Sequence, residues 1–158
     1  MHTEAVQRKI DEWPMGPGQQ TLVIADDNAA WQASLTADRH DSVGCLVWEL
    51  AWQALRSGRD VNSLSLDARA QQLAAGLSGV LESVRVVEVD PARHEALLRS
   101  SPSARRADAP LYYEVLVRDM SQVTIRRFRG GEPGKPRQQV AFALTNETLA
   151  RLVVALVG

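Results

Sequence analysis

Seven arginines and one phenylalanine in the last third of this chain come closest to a functional pattern. Arg126, Arg127 and Arg129 stand beside Phe128, Arg118 lies in the preceding β-prone run, and Arg105, Arg106 and Arg137 can join them. A basic sheet surface with an exposed ring holds single-stranded nucleic acid, with guanidinium groups on phosphates and rings against bases. The same residues also suit the wet side of an edge strand, where charge prevents aggregation. They suit equally a docking surface for an acidic partner protein, or for the acidic part of a second copy. Charge is segregated along the chain. Residues 1–98 carry 8 Lys/Arg against 14 Asp/Glu, net −6; residues 99–137 carry 9 against 4, net +5; residues 138–158 carry one of each.

Other chemistry-bearing residues have simpler readings. Asp26-Asp27 has the donor type for a divalent cation or a shared proton, but the pair sits where short Asx side chains make turns. His40 precedes Asp41, with Glu49 downstream, and a His-carboxylate pair can act as a general base. Asp41 is explained as a helix cap, however, and nothing nearby in sequence is an obvious nucleophile. His94 reads as a surface residue. Cys45 lies among Val43, Leu46 and Val47, so it reads as a small core hydrophobe rather than an activated thiol. The segment Gly130-Gly131-Glu132-Pro133-Gly134-Lys135-Pro136 lacks the spacing and the Ser/Thr of a phosphate loop. Trp31, Trp48 and Trp52, with Tyr112 and Tyr113, can line an apolar pocket between sheet and helices.

These residues need a scaffold, and the chain has the length for one. Its 158 residues fit one domain, 1–158, able to form a core without metal or disulfide. Hydrophobic content is 45%, charged content 23% and net charge −1, so the whole molecule is neither a polycation nor an acidic solvating chain. One cysteine excludes an intramolecular disulfide. The N-terminus has no signal-peptide pattern, and no apolar run is long enough for a membrane helix. A cytoplasmic location is expected, and the 16 arginines to 2 lysines point to a GC-rich bacterial genome.

The pattern predicts a short helix over 3–12, a break at 14–18, and a hairpin of 21–25 and 31–36 about Asp26-Asp27-Asn28. It then predicts a mostly buried helix over 42–56, capped by Asp41 or Ser42. Val43, Leu46, Val47, Leu50, Ala51 and Ala54 lie on one face, and Ser57-Gly58 stops it. A second helix starts at Ser63 or Ser65 and carries Leu66, Ala70, Leu73, Leu77 and Leu81 on one side. A strand over 84–89 follows, then a short helix opened by Asp90-Pro91, and a mobile polar loop near 100–110. Strands over 111–117, 123–128 and 138–144 form a meander, and Thr145 or Asn146 caps a terminal helix.

The expected fold is α+β: a two-layer sandwich of a largely antiparallel sheet with helices packed on one face. Charge segregation and the apolar 42–56 segment favour a non-enzymatic interaction or adaptor module that binds another protein or itself as a homodimer. A single-stranded nucleic-acid binder and a small-ligand protein or enzyme with an aromatic pocket are the alternatives. No catalytic residue, metal ligand or cofactor is assigned.

Overall fold

A computed structural model describes residues 2–55, 65–101, 110–131 and 134–157. The chain runs α1 (Thr3–Asp11), β1 (Gly16–Ala25), β2 (Trp31–His40), β3 (Gly44–Ala54), α2 (Leu66–Ser78), β4 (Val84–Asp90), β5 (Glu95–Ser100), β6 (Leu111–Arg118), β7 (Gln122–Arg129), β8 (Gln138–Val140), β9 (Phe142–Thr145) and α3 (Asn146–Val157). The fold is α+β and mostly sheet. The strands form one antiparallel sheet of nine, in the order β1-β2-β3-β7-β6-β5-β4. β8 pairs with β7 while β9 pairs with β3.

Several expected elements are present. α1, the β1–β2 hairpin, α2, β4, β6, β7 and α3 occupy the predicted places. Ser65 caps α2 by accepting the Ala68 N–H at 3.1 Å. Thr145 does the same for α3, its Oγ1 accepting from the Thr148 N–H at 3.1 Å. The turn at Asp119-Met120 uses positive φ at both residues, 52° and 60°, which matches the twist of the strands it joins.

Four expectations are corrected. The segment 42–56 is not a helix: from Gly44 to Ala54 it is β3, at the centre of the sheet. Cys45 and Val47 point into the core, and so do Leu50 and Trp52. Between the two pairs the β2–β3 register slips, because Thr36 pairs with Glu49 and Ala37 with Val47, leaving Trp48 unmatched. A bulge of this kind turns one two-residue step into a three-residue step. The spacing 47 to 50 then copies a helical period, and the alternation is hidden. Asp41 keeps a capping role of another sort: its carboxylate accepts the N–H groups of Val43 at 2.8 Å and Gly44 at 3.0 Å in a hairpin turn.

The Asp90-Pro91 segment is also a turn rather than a helix. Asp90 Oδ1 accepts from the Arg93 N–H at 3.2 Å, and His94 takes φ 54°. The chain then returns as β5, with Ala96, Leu98 and Ser100 buried. The third strand of the expected meander is broken at Ala141. Its first half continues from β7, and its second half lies against β3. There a Cβ on Gly44 would collide with the Leu144 carbonyl, so glycine permits the close approach. Gly16-Pro17-Gly18, expected to break structure, belongs to edge strand β1, with an irregular register between Pro17 and Gln20. The helix stop at Ser57-Gly58, Ser63 and most of the expected mobile loop fall outside the described residues.

One hydrophobic cluster joins the helices to the sheet. Val6 and Ile10 of α1, Leu73 and Leu77 of α2, and Leu149, Leu152, Val153 and Leu156 of α3 meet Leu35, Leu50, Leu98, Val115 and Ile125 from the strands. Arg69 is the charged exception. It is only 6% exposed, it donates to the Leu156 carbonyl at 2.7 Å, and its guanidinium lies 5.6 Å from the Trp52 ring centroid. It therefore holds the C-terminal end of α3, where a cation is favoured by the helix dipole. None of the described helices is long and apolar enough to cross a membrane.

Candidate interaction surface

The predicted arginine cluster is divided by the pleat of the sheet. Successive side chains in a strand point to opposite faces. Arg127 therefore turns to the core-facing side, where its Nη1 donates to the Tyr113 hydroxyl at 3.1 Å and its guanidinium lies 4.6 Å from that ring's centroid. Burial pushes the Tyr113 hydroxyl pKa up, and the Arg127 charge partly opposes this. Arg126 points to the other side, called here the outer face.

On the outer face Arg118, Arg126 and Arg137 are each paired with a carboxylate. Arg126 Nε donates to Glu49 at 2.7 Å. Arg118 lies 3.4 Å from Glu95. Arg137 grips Glu114 with both terminal nitrogens, Nη2 at 3.2 Å, and Arg99 reaches the same carboxylate at 3.7 Å. That grip and the Tyr112 hydroxyl hold the Arg137 pKa above its ordinary value. Phe128 is not an exposed stacking ring. It is 7% exposed, with the Arg137 guanidinium 3.8 Å from its centroid and Tyr112 stacked at 6.0 Å. Arg129 is exposed and has no carboxylate partner among the described residues. Arg105 and Arg106 lie outside the described residues.

The charge segregation of the sequence is thus resolved within the fold. Glu49 and Glu95 come from the acidic part, and Arg126 and Arg118 from the basic part. Because β7 is inserted beside β3, and β6 beside β5, these parts become neighbouring strands. Glu95, Glu114 and Arg99 were not singled out by sequence reasoning, and Glu49 and Tyr112 were read in other roles, not as partners of the arginines. For Glu114 and Tyr112 the signal was present, since both alternate with the inward Tyr113, Val115 and Val117. Glu49 was hidden by the misassigned helix.

Cross-strand register orders the outer face into rows. A central row runs Val23, Ser34, Ala51, Thr124, Leu116 and Leu97, then meets the β4 irregularity at Val87 and Glu88. From Val23 to Leu97 it carries no charge. One flanking row contains Thr21, Thr36, Glu49, Arg126, Glu114, Arg99 and Arg85. The opposite flank contains Ala25, Gln32, Gln53, Gln122, Arg118, Glu95 and Asp90. Val23 at one end of the central row is 49% exposed, and Val87 at the other is 46% exposed. None of Ala51, Thr124, Leu116 and Leu97 belongs to the hydrophobic core.

The remaining candidates take structural roles. Asp27 pairs with Lys9 at 2.8 Å, and that hydrogen bond lowers its carboxyl pKa. Asp26 accepts from the Ala30 N–H at 3.2 Å. His40 is 1% exposed, its Nδ1 is 3.3 Å from the Pro14 carbonyl, and Trp13 packs edge-on at 5.7 Å. A carbonyl only accepts, so that ring nitrogen carries the proton. Nε2 is buried with no hydrogen-bond partner among the described residues, and Glu49 is engaged by Arg126. Burial raises the Cys45 thiol pKa to about 11, with Asp41 adding to the effect, so the thiol is not activated. His94 is exposed at its turn.

Trp31 and Trp52 are buried at 4% and 5% exposure. Trp48, Tyr112 and Tyr113 complete the expected pocket set, but Tyr112 and Tyr113 lie on opposite faces. One cleft of 420 Å³ lies beside Arg39, Asp41, Val43, Leu46 and Thr145, and another of 140 Å³ beside Glu88, Asp90, Arg93 and Leu97. Neither has one of these rings in its wall. No group of three or more metal-ligating side chains converges among the described residues. The chain matches no protein-family model, no curated protein and no solved structure.

Proposed function

We propose that this protein is a non-enzymatic interaction module whose working surface is the outer face of the sheet. In this reading the molecule is a two-layer sandwich, its helices laid on the core-facing side and the outer face left for a protein partner. The observation that carries it is the uncharged row from Val23 to Leu97, bordered on one side by Glu49, Arg126, Glu114, Arg99 and Arg85 and on the other by Arg118, Glu95 and Asp90. A central strip that dehydrates at low cost, rimmed by paired charges that fix orientation, is the usual division of labour at a protein interface.

Two facts count against nucleic acid as the occupant. Arg118, Arg126 and Arg137 already face carboxylates, so phosphates would have to displace them. Phe128 is shielded beneath Arg137 rather than presented to bases.

The test is affinity capture from lysate with the wild-type chain, with Thr124→Lys in the central row, and with Glu12→Lys on the exposed end of α1. Proteins retained by wild type and by Glu12→Lys but lost with Thr124→Lys are expected. Equal retention by all three variants would remove the outer face as the working surface.

A further inference from the structure

The rows flanking the uncharged strip are complementary to each other. Within each of strands β4, β5 and β6, the two outer-face residues on either side of the central row have opposite charge: Arg85 and Asp90, Arg99 and Glu95, Glu114 and Arg118. On the other side of the face, each strand pairs a charged or polar residue with an uncharged one: Arg126 with Gln122, Glu49 with Gln53, Thr36 with Gln32. No strand carries like charges in both flanking rows.

We infer that the outer face binds a second copy of this chain, related by a two-fold axis running along the uncharged row. This inference rests on the reading of the outer face as an interaction surface and names its partner. Rotation by half a turn about such an axis keeps each strand above its counterpart and exchanges the two flanks. Arg85 then faces Asp90 of the second copy, Arg99 faces its Glu95, and Glu114 faces its Arg118. Within one chain Arg99 already neighbours Glu114 at 3.7 Å, and Arg118 neighbours Glu95 at 3.4 Å. The two copies therefore close squares of alternating charge, one on each side of the axis. Leu97, Leu116, Thr124, Ala51 and Ser34 lie on the axis and meet themselves; at its β4 end Glu88, opposite Leu97, is also brought against its own copy, a like-charge contact that the flanking squares must offset. Two antiparallel sheets stack face to face in this aligned way, about 10 Å apart, with a small rotation that follows from their twist. A self-complementary patch of this kind is what a two-fold interface requires.

Thr124 lies on the axis, where a residue meets its own copy. Sedimentation velocity is run on wild type from low to high micromolar concentration, then on Thr124→Lys, on Thr124→Glu, and on their equimolar mixture. Wild type should be a dimer. Each single variant should be a monomer, because like charges meet across the axis, and the mixture should regain the dimer. Ser34→Lys, on the same axis in another strand, should also be monomeric, and guards against a local defect at residue 124; circular dichroism checks that each variant is folded. Arg85→Glu, which sets like charges against Asp90 of the second copy, should weaken association roughly tenfold. A wild-type monomer throughout the range overturns the inference. So does a dimer that survives both lysine variants, or a mixture that stays monomeric. A wild-type monomer whose captured proteins are still lost with Thr124→Lys overturns the second copy as partner and leaves the interaction surface in place.

Discussion

Strands β6 and β7 carry the same two kinds of side chain on both faces and put them to different uses. On the core-facing side Val115, Val117, Val123 and Ile125 are fully buried, and the layer ends in Tyr113 beneath Arg127. On the outer side Leu116 and Thr124 are half-buried and flanked by charge, and the layer ends in Tyr112 and Phe128 beneath Arg99 and Arg137. Both faces stack arginine on an aromatic ring. The difference is that one set of neighbours is removed from water and the other is held at its edge. Burial makes the first face the source of stability. Partial exposure leaves the second able to exchange its contacts for those of a partner.

The largest expected effect lies on the buried side. Ile125→Ala should destabilise the fold by about 3 kcal/mol through lost burial and a cavity, read by urea denaturation. Thr124→Ala, one residue away on the outer face, should stay within about 0.5 kcal/mol. Equal costs would break the comparison between the faces.

Cys45 sharpens the contrast within β3. Its thiol pKa is raised from 9.0 to about 11, which lowers the thiolate fraction near neutral pH about 100-fold. Alkylation by iodoacetamide should be slower by at least that factor in the folded chain than in urea. The folded state holds this proton more tightly than the unfolded chain does. Its contribution is therefore fully present below about pH 9 and is lost as pH rises towards 11. A Cys45→Ala variant should lose that decline.

The third effect is smaller. Glu114→Gln removes the carboxylate that gathers Arg99 and Arg137, and it should cost about 1–2 kcal/mol in the same denaturation experiment. Arg126→Ala breaks a more exposed pair with Glu49, whose side chains are 47% and 33% exposed. It should cost less than about 1 kcal/mol, and less still in high salt. If Arg126→Ala proved as costly as Glu114→Gln, the outer face would be a structural layer rather than a poised surface.

The parts of the fold that were legible are those where local pattern and tertiary environment agree. β6 and β7 alternate cleanly, α2 and α3 keep a helical period, and the Asp26–Asn28 and Asp119–Ser121 turns have residues that favour such bends. β3 was misread because its alternation is broken at Trp48, and the step from Val47 to Leu50 fits a helix as well as a bulged strand. Asp41 and Asp90 were misread for a related reason: a short carboxylate accepts backbone N–H groups equally well at a helix start and in a tight turn. The site was legible only in outline. Arg118, Arg126, Phe128 and Arg137 do gather in one region, but their partners Glu49, Glu95 and Glu114 depend on which strands become neighbours.

The sequence by itself determined the class of fold, the ordinary roles of Cys45, Asp26 and Asp27, and the presence of an arginine-rich third. Each of these follows from composition or from spacing along the chain, which local chemistry can read. Only the tertiary structure decided that the acidic and basic parts neutralise each other, that Arg126 and Arg127 point to opposite faces, and that an uncharged row crosses six strands between charged ones. Those properties arise from strand order and register. A sheet brings together residues far apart in sequence, and a shift of one residue moves a side chain from one face to the other.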